Sequence, residues 1–505
     1  MAPMLPPFGW RHCALALAAG VVSIAGFAPF YAWPIPIASL AALFFLWQRC
    51  ATARRAAWLG FAFGLGLFLA GVSWVYVSLH VYGHMPAILA ALATLLFCSY
   101  LALFPAAAGW AASRLAPRSG LMGPMLFMPA LFVLLEWIRG WLLTGFPWLV
   151  IGYSQVPDGP LSGFAPVVGA YGVSLAAAFA AGIVAAFALT PRKSRQRVVL
   201  GAAFLAWLAA GALMRMHSFT APAGPPIAVS LLQGNVPQDR KWLPEVRDET
   251  LRSYLQLIIQ SRAQVVVLPE TALPAFLDSL PAGYIEAIRT HAHEAGKTVL
   301  IGTIERARAG SGSTYFNSVV EVAQEGMPAY RKRHLVPFGE FIPPGFRWVL
   351  EVLKIPLTDF ATGAWDQPPL AAGGARWAVA ICYEDIFGEE LITQLPQASL
   401  LLNVSNDAWF GRSLAADQHL QFSQMRALET GRWMLRSTNT GVTAAIDERG
   451  RVVSALPQFI RGELTAAPVP RTGETPYVRW GNYPALVLLF AFIFAGMLAL
   501  RHRPT

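Results

Sequence analysis

Long apolar runs separated by short connections fill the first 216 residues, and they constrain the fold more than any other feature. A helix that crosses a bilayer needs about 20 predominantly apolar residues. Most of the runs are long enough, and only the second and seventh are short. They span residues 12–30, 35–48, 57–79, 86–112, 121–143, 164–190, 198–214 and 483–500. The sequence therefore predicts a multi-pass α-helical membrane domain of seven helices plus one C-terminal helix.

Charge is divided unevenly between the two halves of the chain. Residues 1–216 contain 12 Lys and Arg but only 2 Asp and Glu, whereas residues 217–505 contain 26 of each kind. The net charge of +10 therefore belongs to the apolar half and indicates a membrane protein, not one that binds nucleic acid. Only 13% of all residues are charged, against about 25% in an ordinary soluble domain. This composition argues against a wholly soluble enzyme.

Basic residues occur in every second connection between the apolar runs. The connections Pro29–Pro34 and His80–Met85 contain neither Lys nor Arg. The basic residues that follow the second, fourth, sixth and eighth runs are Arg49, Arg54, Arg55, Arg114, Arg118, Arg192, Lys193, Arg195, Arg197, Arg501 and Arg503. Because basic loops stay in the cytoplasm, both termini are predicted there, and residues 217–482 lie on the opposite side. An alternative for the first run is a cleavable signal peptide, since Arg11, an apolar stretch and then Ser23-Ile24-Ala25 form such a pattern.

The domain boundaries follow from this change of pattern. Residues 1–216 form the transmembrane domain, 217–482 the exported domain, and 483–505 the last helix with a cytoplasmic tail. Short β-rich runs in the exported domain alternate with amphipathic stretches, which indicates an α/β domain with a layered sheet core. The predicted strands are Ile227–Val236, Val265–Glu270, Thr298–Glu305, Trp377–Cys382 and Leu400–Asn406, and the predicted helices are Asp239–Gln260 and Gly283–Lys297.

Three residues of the exported domain are candidates for chemistry. Cys382, its only cysteine, ends a predicted strand, and reactive groups collect at the carboxyl ends of strands in α/β sheets. Glu270 also ends an apolar strand, where an unpaired carboxylate would be costly. Lys332 lies where a polar stretch runs into an apolar one. Each has a structural alternative: a small buried side chain for Cys382, the neighbour of a helix cap for Glu270, and a solvated basic face for Lys332.

The segments around these residues resemble a known family. Pro269-Glu270, Lys332 with Pro337-Phe-Gly-Glu340, and Cys382-Tyr-Glu384 resemble the Glu-Lys-Cys triad of the nitrilase (carbon–nitrogen hydrolase) superfamily. Four further segments are similar to the apolipoprotein N-acyltransferase family, namely Glu136–Trp148, Gln233–Trp242, His334–Pro343 and Asn403–Phe410. The similarity extends over nearly the whole chain, including the arrangement of seven predicted membrane helices before the α/β domain and one after it.

This resemblance implies an inserted nitrilase-like αββα sandwich and an enzyme of the bacterial inner membrane with a periplasmic catalytic domain. It implies Cys382 as the nucleophile, Glu270 as the proton acceptor and Lys332 as the charge that lowers the thiol pKa and stabilises the oxyanion. The supporting or substrate-binding candidates are Trp242, Glu340, Tyr383, through its backbone N–H, and Glu384. The implied partners are a membrane phospholipid as acyl donor and a diacylated apolipoprotein as acceptor. No cofactor, metal or nucleic acid is expected, and the chain is predicted to be a monomer.

Several alternatives remain open at this point. Water could accept the acyl group instead of an amine, which would make the chain a hydrolase, or the chain could be a non-enzymatic transporter or a lipoprotein-binding scaffold. The segment Phe341–Phe360 suits either an interfacial arm or a helix packed on the core. Glu136 and Arg139 suit either a functional site in the membrane or a structural ion pair. Surface carboxylates are the alternative for Glu340 and Glu384, and a core aromatic is the alternative for Trp242.

Overall fold

The computed structural model describes residues 9–115, 120–309, 312–322, 326–343 and 359–501. The chain divides into two compact units, and each is described by itself. The first, the helical unit, comprises Met1–Tyr76, Pro86–Ser218 and Arg479–Thr505. The second, the α/β unit, comprises Val77–Met85 and Phe219–Val478.

Each predicted apolar run corresponds to a helix of the helical unit. The helices are Trp10–Ser23, Pro34–Gln48, Ala53–Val72, Ala87–Leu115, Met128–Arg139, Ala165–Leu189, Arg195–Met214 and Tyr483–Arg501. Four helical stretches within the described residues are long and apolar enough to cross a membrane, namely Ala53–Val72, Ala87–Leu115, Pro160–Leu189 and Arg195–Met214. The number of membrane crossings and their orientation remain predictions.

The fifth apolar run forms a shorter α-helix than predicted, because Gly123–Phe127 is π-helical and the α-helix Met128–Arg139 ends at Gly140. Glu136 and Arg139 form hydrogen bonds with backbone groups of the irregular segment that follows the helix. The Glu136 carboxylate accepts hydrogen bonds from the Ile151 N–H at 3.0 Å and the Ser174 hydroxyl at 2.8 Å. The Arg139 guanidinium donates to the carbonyl of Trp148 at 2.7 Å. Since unsatisfied backbone groups are costly in an apolar environment, both charges have a structural role here.

The α/β unit contains two six-stranded sheets and a separate two-stranded pair. In chain order the strands are β1 Thr220–Pro222, β2 Val229–Gln233, β3 Val265–Val267, β4 Thr298–Ala309, β5 Gly312–Glu321, β6 Ala329–Arg331, β7 Leu370–Ala372, β8 Ala375–Ile381, β9 Leu400–Ser405, β10 Met434–Thr438, β11 Ala444–Ile446, β12 Val452–Ala455, β13 Gly462–Ala466 and β14 Arg471–Gly473. The first sheet has the order β13-β2-β3-β4-β5-β6 and the second has the order β12-β11-β10-β9-β8-β7. β1 pairs with β14.

Alternating side chains explain the layers of the α/β unit. In β2, Leu231 contributes to a buried cluster shared by both sheets, whereas Leu232 contributes to the cluster that contacts the helices Pro244–Gln260 and Tyr284–Glu294. The outer face of the second sheet packs on the helix Ala415–Thr430. The α/β unit also contains the short α-helix Gly388–Leu391, and the short α-helix Pro476–Trp480 lies at its C-terminal end. The predicted α/β architecture is confirmed as a helix–sheet–sheet–helix sandwich.

The five predicted strands are all present, each trimmed or extended by a few residues. The predicted helix Asp239–Gln260 begins only at Pro244, because residues 239–243 form turns. β2 and β3 are parallel, as are β8 and β9, so residues that follow these strands share an edge of their sheet. Of the predicted arm Phe341–Phe360, residues 344–358 lie outside the described residues.

Candidate active site

Cys382 directly follows β8, and its backbone is in the left-handed region with φ of 54°. A side chain other than glycine rarely adopts this conformation, and such strain persists only when the surroundings hold it. Here the Cys382 carbonyl lies 3.0 Å from the Asn403 Nδ2 donor and 3.1 Å from Nε2 of His419. The side chain is partly exposed. The sharp turn therefore presents the thiol at the carboxyl end of the strand.

Glu270 is held by a precise set of donors. It lies three residues after β3, and its Oε1 accepts a hydrogen bond from Asn317 Nδ2 at 2.7 Å. Its Oε2 accepts from the backbone N–H of Asn406 at 2.8 Å. Asn317 belongs to β5 and Asn406 follows β9, so both sheets orient this carboxylate. Its placement is not that of a helix-cap neighbour.

Lys332 lies between two carboxylates, and we call Glu270, Lys332 and Glu340 the lysine cluster. The Lys332 Nζ is 2.8 Å from Glu340 Oε2 and 3.7 Å from Glu270 Oε1. Only 1% of the Lys332 side chain is exposed, so the alternative that Lys332 belongs to a solvated basic face is wrong. Burial alone would lower the pKa of Lys332, but Glu340 and Glu270 outweigh it and raise the pKa above its ordinary value. The lysine is therefore a fixed cation at neutral pH.

The Cys382 thiol is protonated at rest. Burial, followed by the Glu270 carboxylate, raises its pKa well above the ordinary value. Lys332 acts in the opposite direction, as predicted, but its effect is outweighed. A thiol with a raised pKa reacts only when a base accepts its proton, and Glu270 is the carboxylate that acts on it most strongly.

Glu340 and Glu384 are both buried, which rules out the surface alternative. Asn317 donates to Glu340 as well as to Glu270, linking the two carboxylates. The Glu384 carboxylate accepts from the backbone N–H of Ile381 at 2.7 Å and from that of Arg333 at 2.6 Å. These hydrogen bonds therefore link Ile381, which precedes Cys382, to Arg333, which follows Lys332. Tyr383 is buried, and the centroid of its ring is 5.0 Å from that of Phe387.

Trp242 is 52% exposed, so the core alternative is wrong. The neighbouring Lys241 is buried and donates to the Thr271 hydroxyl at 2.6 Å, one residue from Glu270. Burial lowers the pKa of Lys241 to about 8, and the charge of Glu270 partly offsets that effect. The sequence analysis did not identify this second lysine near Glu270.

A second set of buried charges lies beside Cys382, and we call Asp385, Asp407, His419 and Arg436 the histidine network. His419 Nδ1 is 2.9 Å from Asp407 Oδ1, and its Nε2 is 2.9 Å from Asp385 Oδ1. Arg436 contacts both carboxylates, at 2.8 Å for Asp407 and 3.2 Å for Asp385. Sequence reasoning missed this network, because β10 contains Arg436, Ser437 and Thr438 and has no apolar pattern that marks it as buried, although all five of its residues are buried.

No group of three or more His, Cys, Asp and Glu side chains in the described part of the chain is arranged to hold a metal ion. The described site is therefore composed of a thiol, carboxylates, amides and cations. This arrangement suits acyl transfer through a thiol, with a carboxylate for proton transfer and an ammonium for developing negative charge.

Two family models match the chain. The model described as "Apolipoprotein N-acyltransferase N-terminal domain" matches residues 19–183, and the model described as "Carbon-nitrogen hydrolase" matches residues 228–477. The second match contains Glu270, Lys332 and Cys382. The two halves of the chain thus match two different family models.

Relatives named "Apolipoprotein N-acyltransferase" are similar over nearly the full chain. That of Nitrosomonas europaea is 49% identical, covering 97% of this chain and 98% of the relative. That of Chromobacterium violaceum is 45% identical, covering 96% and 93% respectively. That of Methylococcus capsulatus is 46% identical, covering 94% and 93%. The chain therefore belongs to the apolipoprotein N-acyltransferase family, with a carbon–nitrogen hydrolase domain in its second half.

Proposed function

We propose that the chain transfers a fatty acyl group from a membrane phospholipid to the α-amino group of the N-terminal S-diacylglyceryl-cysteine of an apolipoprotein. The observation that carries this proposal is the convergence of Glu270, Lys332 and Cys382. The Lys332 ammonium lies 3.7 Å from Glu270, and both act electrostatically on the Cys382 thiol. The near-full-length relatives and their printed name support the choice of substrates.

In the first step, Glu270 accepts the thiol proton as the Cys382 Sγ attacks an ester carbonyl of the phospholipid. The carbonyl oxygen becomes an oxyanion, which Lys332 and the backbone N–H of Tyr383 stabilise. The C–O bond then breaks, and the leaving alkoxide takes the proton from Glu270. The products are a thioester on Cys382 and a lysophospholipid.

In the second step, the acceptor amine attacks the thioester carbonyl. Glu270 accepts a proton from the amine, and Lys332 again stabilises the oxyanion. The C–S bond breaks as the amide forms, and Glu270 returns the proton to the sulfur. The order is ping-pong, because lysophospholipid leaves before the apolipoprotein reacts.

Supporting residues hold these groups in place. Glu340 keeps the Lys332 ammonium charged and oriented through the contact at 2.8 Å. Glu384 fixes the turn that carries Cys382 through the Ile381 N–H. Trp242, which is half-exposed, contributes an aromatic surface for substrate.

The apolar helices support a membrane location for this chemistry, where both proposed substrates reside. We propose residues 1–216 and 483–505 as the membrane-embedded parts in the bacterial inner membrane. Residues 217–482 form the periplasmic catalytic domain, and both termini are cytoplasmic. The acting species is a monomer without a cofactor.

Intact-protein mass spectrometry tests the proposal. The detergent-solubilised full chain is incubated with phospholipid beside the Cys382→Ala variant. A hydroxylamine-labile gain of one acyl chain on the wild type alone is expected. Adding a diacylated lipopeptide with a free amine then discharges the thioester and yields N-acylated peptide.

Two results would overturn it. Discharge at the same rate in buffer without peptide would identify a hydrolase instead. No acyl adduct with any phospholipid would remove the covalent mechanism, leaving the binding scaffold as the better account.

A further inference from the structure

The histidine network carries two carboxylates and two cations in a volume that water does not reach. Asp385, Arg436 and His419 are each 1% exposed or less, and Asp407 is 2% exposed. Leaving one buried charge without a partner is strongly destabilising. The composition of this network is therefore constrained by charge as well as by shape.

The charge balance depends on the proton of His419. Both ring nitrogens face carboxylates at 2.9 Å, and both must carry hydrogen to donate to them. Burial and Arg436 lower the pKa of His419, but Asp385 and Asp407 outweigh them and raise it to about 9. The imidazolium form is therefore present at neutral pH, and the four residues sum to zero charge.

This network is coupled to the thiol by contact and by charge. The Cys382 carbonyl lies 3.1 Å from His419 Nε2, so the network bears directly on the strained turn. The negative charge of Asp407 raises the pKa of Cys382. Among the described residues, the charged side chains that act on the Cys382 thiol or contact its turn and the histidine network include Glu270, Lys332, Glu384, Asp385, Asp407, His419 and Arg436.

We propose that His419 is a positioning residue that sets the reactivity of Cys382 by neutralising the carboxylates of Asp385 and Asp407. With the imidazolium in place, the network adds no net charge beside the thiol. Without it, one carboxylate is uncompensated and opposes formation of the thiolate. The inference rests on the proposed role of Cys382 as the nucleophile.

The rate of alkylation of Cys382 by iodoacetamide tests this directly in the full chain in detergent at pH 7.5. Below the thiol pKa, the rate follows the thiolate fraction. His419→Gln removes a positive charge, so alkylation is expected to slow about tenfold. Asp407→Asn removes a negative charge, so alkylation is expected to accelerate about tenfold. The double variant is again neutral and is expected within about threefold of wild type.

The opposite signs distinguish charge balance from a purely structural role. A structural role predicts that both single variants change the rate in the same direction, which would overturn the proposal, as would no change in either. If only one single variant folds, the double variant supplies the second sign, because it should return the rate to within about threefold of wild type. Ser423→Ala is the matched control, because Ser423 donates to Asp385 without carrying charge.

Two further readouts sharpen the test. Above pH 9 wild-type His419 loses its proton, so its alkylation rate should converge on that of His419→Gln. Cys13 and Cys50 lie outside the α/β unit and are internal references whose rates should not change. Alkylation needs no phospholipid, so failure of the acyl-transfer proposal would leave this measurement interpretable, and the reverse also holds.

Discussion

Two groups of buried charges flank Cys382, and they differ in how completely their members neutralise one another. The lysine cluster has two carboxylates for one ammonium, with Glu270 at the longer distance of 3.7 Å. The histidine network has two carboxylates and two cations, all within 3.2 Å of a partner. Within the lysine cluster, for which we propose proton exchange, the carboxylates outnumber the ammonium by one, whereas the histidine network beside the Cys382 turn is balanced.

This difference predicts that the two groups fail in different ways when they are mutated. Changes in the histidine network should reduce stability, because they leave buried charges unpaired. Changes in the lysine cluster should reduce activity, because they remove groups that act on the reacting atoms.

The largest effect is expected for Arg436→Met, which leaves Asp385 and Asp407 with His419 alone. The free energy of unfolding should fall by about 3–5 kcal/mol, measured by denaturation of the detergent-solubilised chain. Arg289→Met is the control, because Arg289 pairs with Glu286 at the surface, and such pairs contribute about 1 kcal/mol or less. Equal free energies of unfolding for the two variants would contradict the prediction that the histidine network stabilises the fold.

Lys332→Met should lower kcat by about 10²–10³-fold, the usual cost of losing one group that stabilises an oxyanion. Lys332→Arg keeps the charge and should lose less. The measurement is the steady-state rate of N-acylated lipopeptide formation, well below the unfolding temperature of each variant. A kcat for Lys332→Met within threefold of wild type would contradict the assigned role.

Glu340→Gln should shift the alkaline limb of the activity profile to lower pH. Glu340 is the carboxylate that most strongly raises the pKa of Lys332 against burial, so its loss lowers that pKa. The active ammonium is present below the pKa and lost above it, and the limb must therefore move down. A pH–rate profile of kcat checks this, and an unmoved or raised limb would refute the assignment.

Trp242→Ala should have the smallest effect. The side chain is 52% exposed, and surface substitutions usually change stability by about 0.5 kcal/mol or less. If the ring lines the substrate site, KM for phospholipid should rise a few-fold while kcat is retained. Unchanged kinetics would remove Trp242 from the site.

The strand ends that carry the site could be predicted from the sequence. An apolar run ending in Cys382 and another ending in Glu270 each indicated a buried strand with a polar group at its end. The placement of Lys332 beside them was inferred from the resemblance to the nitrilase superfamily, because no local pattern relates residues so distant in sequence.

The groups that orient the site could not be predicted in this way. Asn317 reaches Glu270 and Glu340 only because β5 pairs with β4 and β6, which sets its register. His419 meets Asp407 through packing of a helix on a sheet, which the sequence does not specify locally. Arg436 offered no signal, because β10 is not an apolar run in the sequence and the partners of Arg436 depend on the fold.

We propose that Glu270 accepts the proton of the Cys382 thiol, which is neutral at rest. Single-turnover acylation of Cys382 by phospholipid, followed by rapid quenching and intact mass, tests it in wild type and Glu270→Gln. Proton transfer to a positioned base contributes about 10²–10⁴-fold, so the variant should form the thioester at least about 100-fold more slowly. Thioester formation by Glu270→Gln at the wild-type rate would contradict the account.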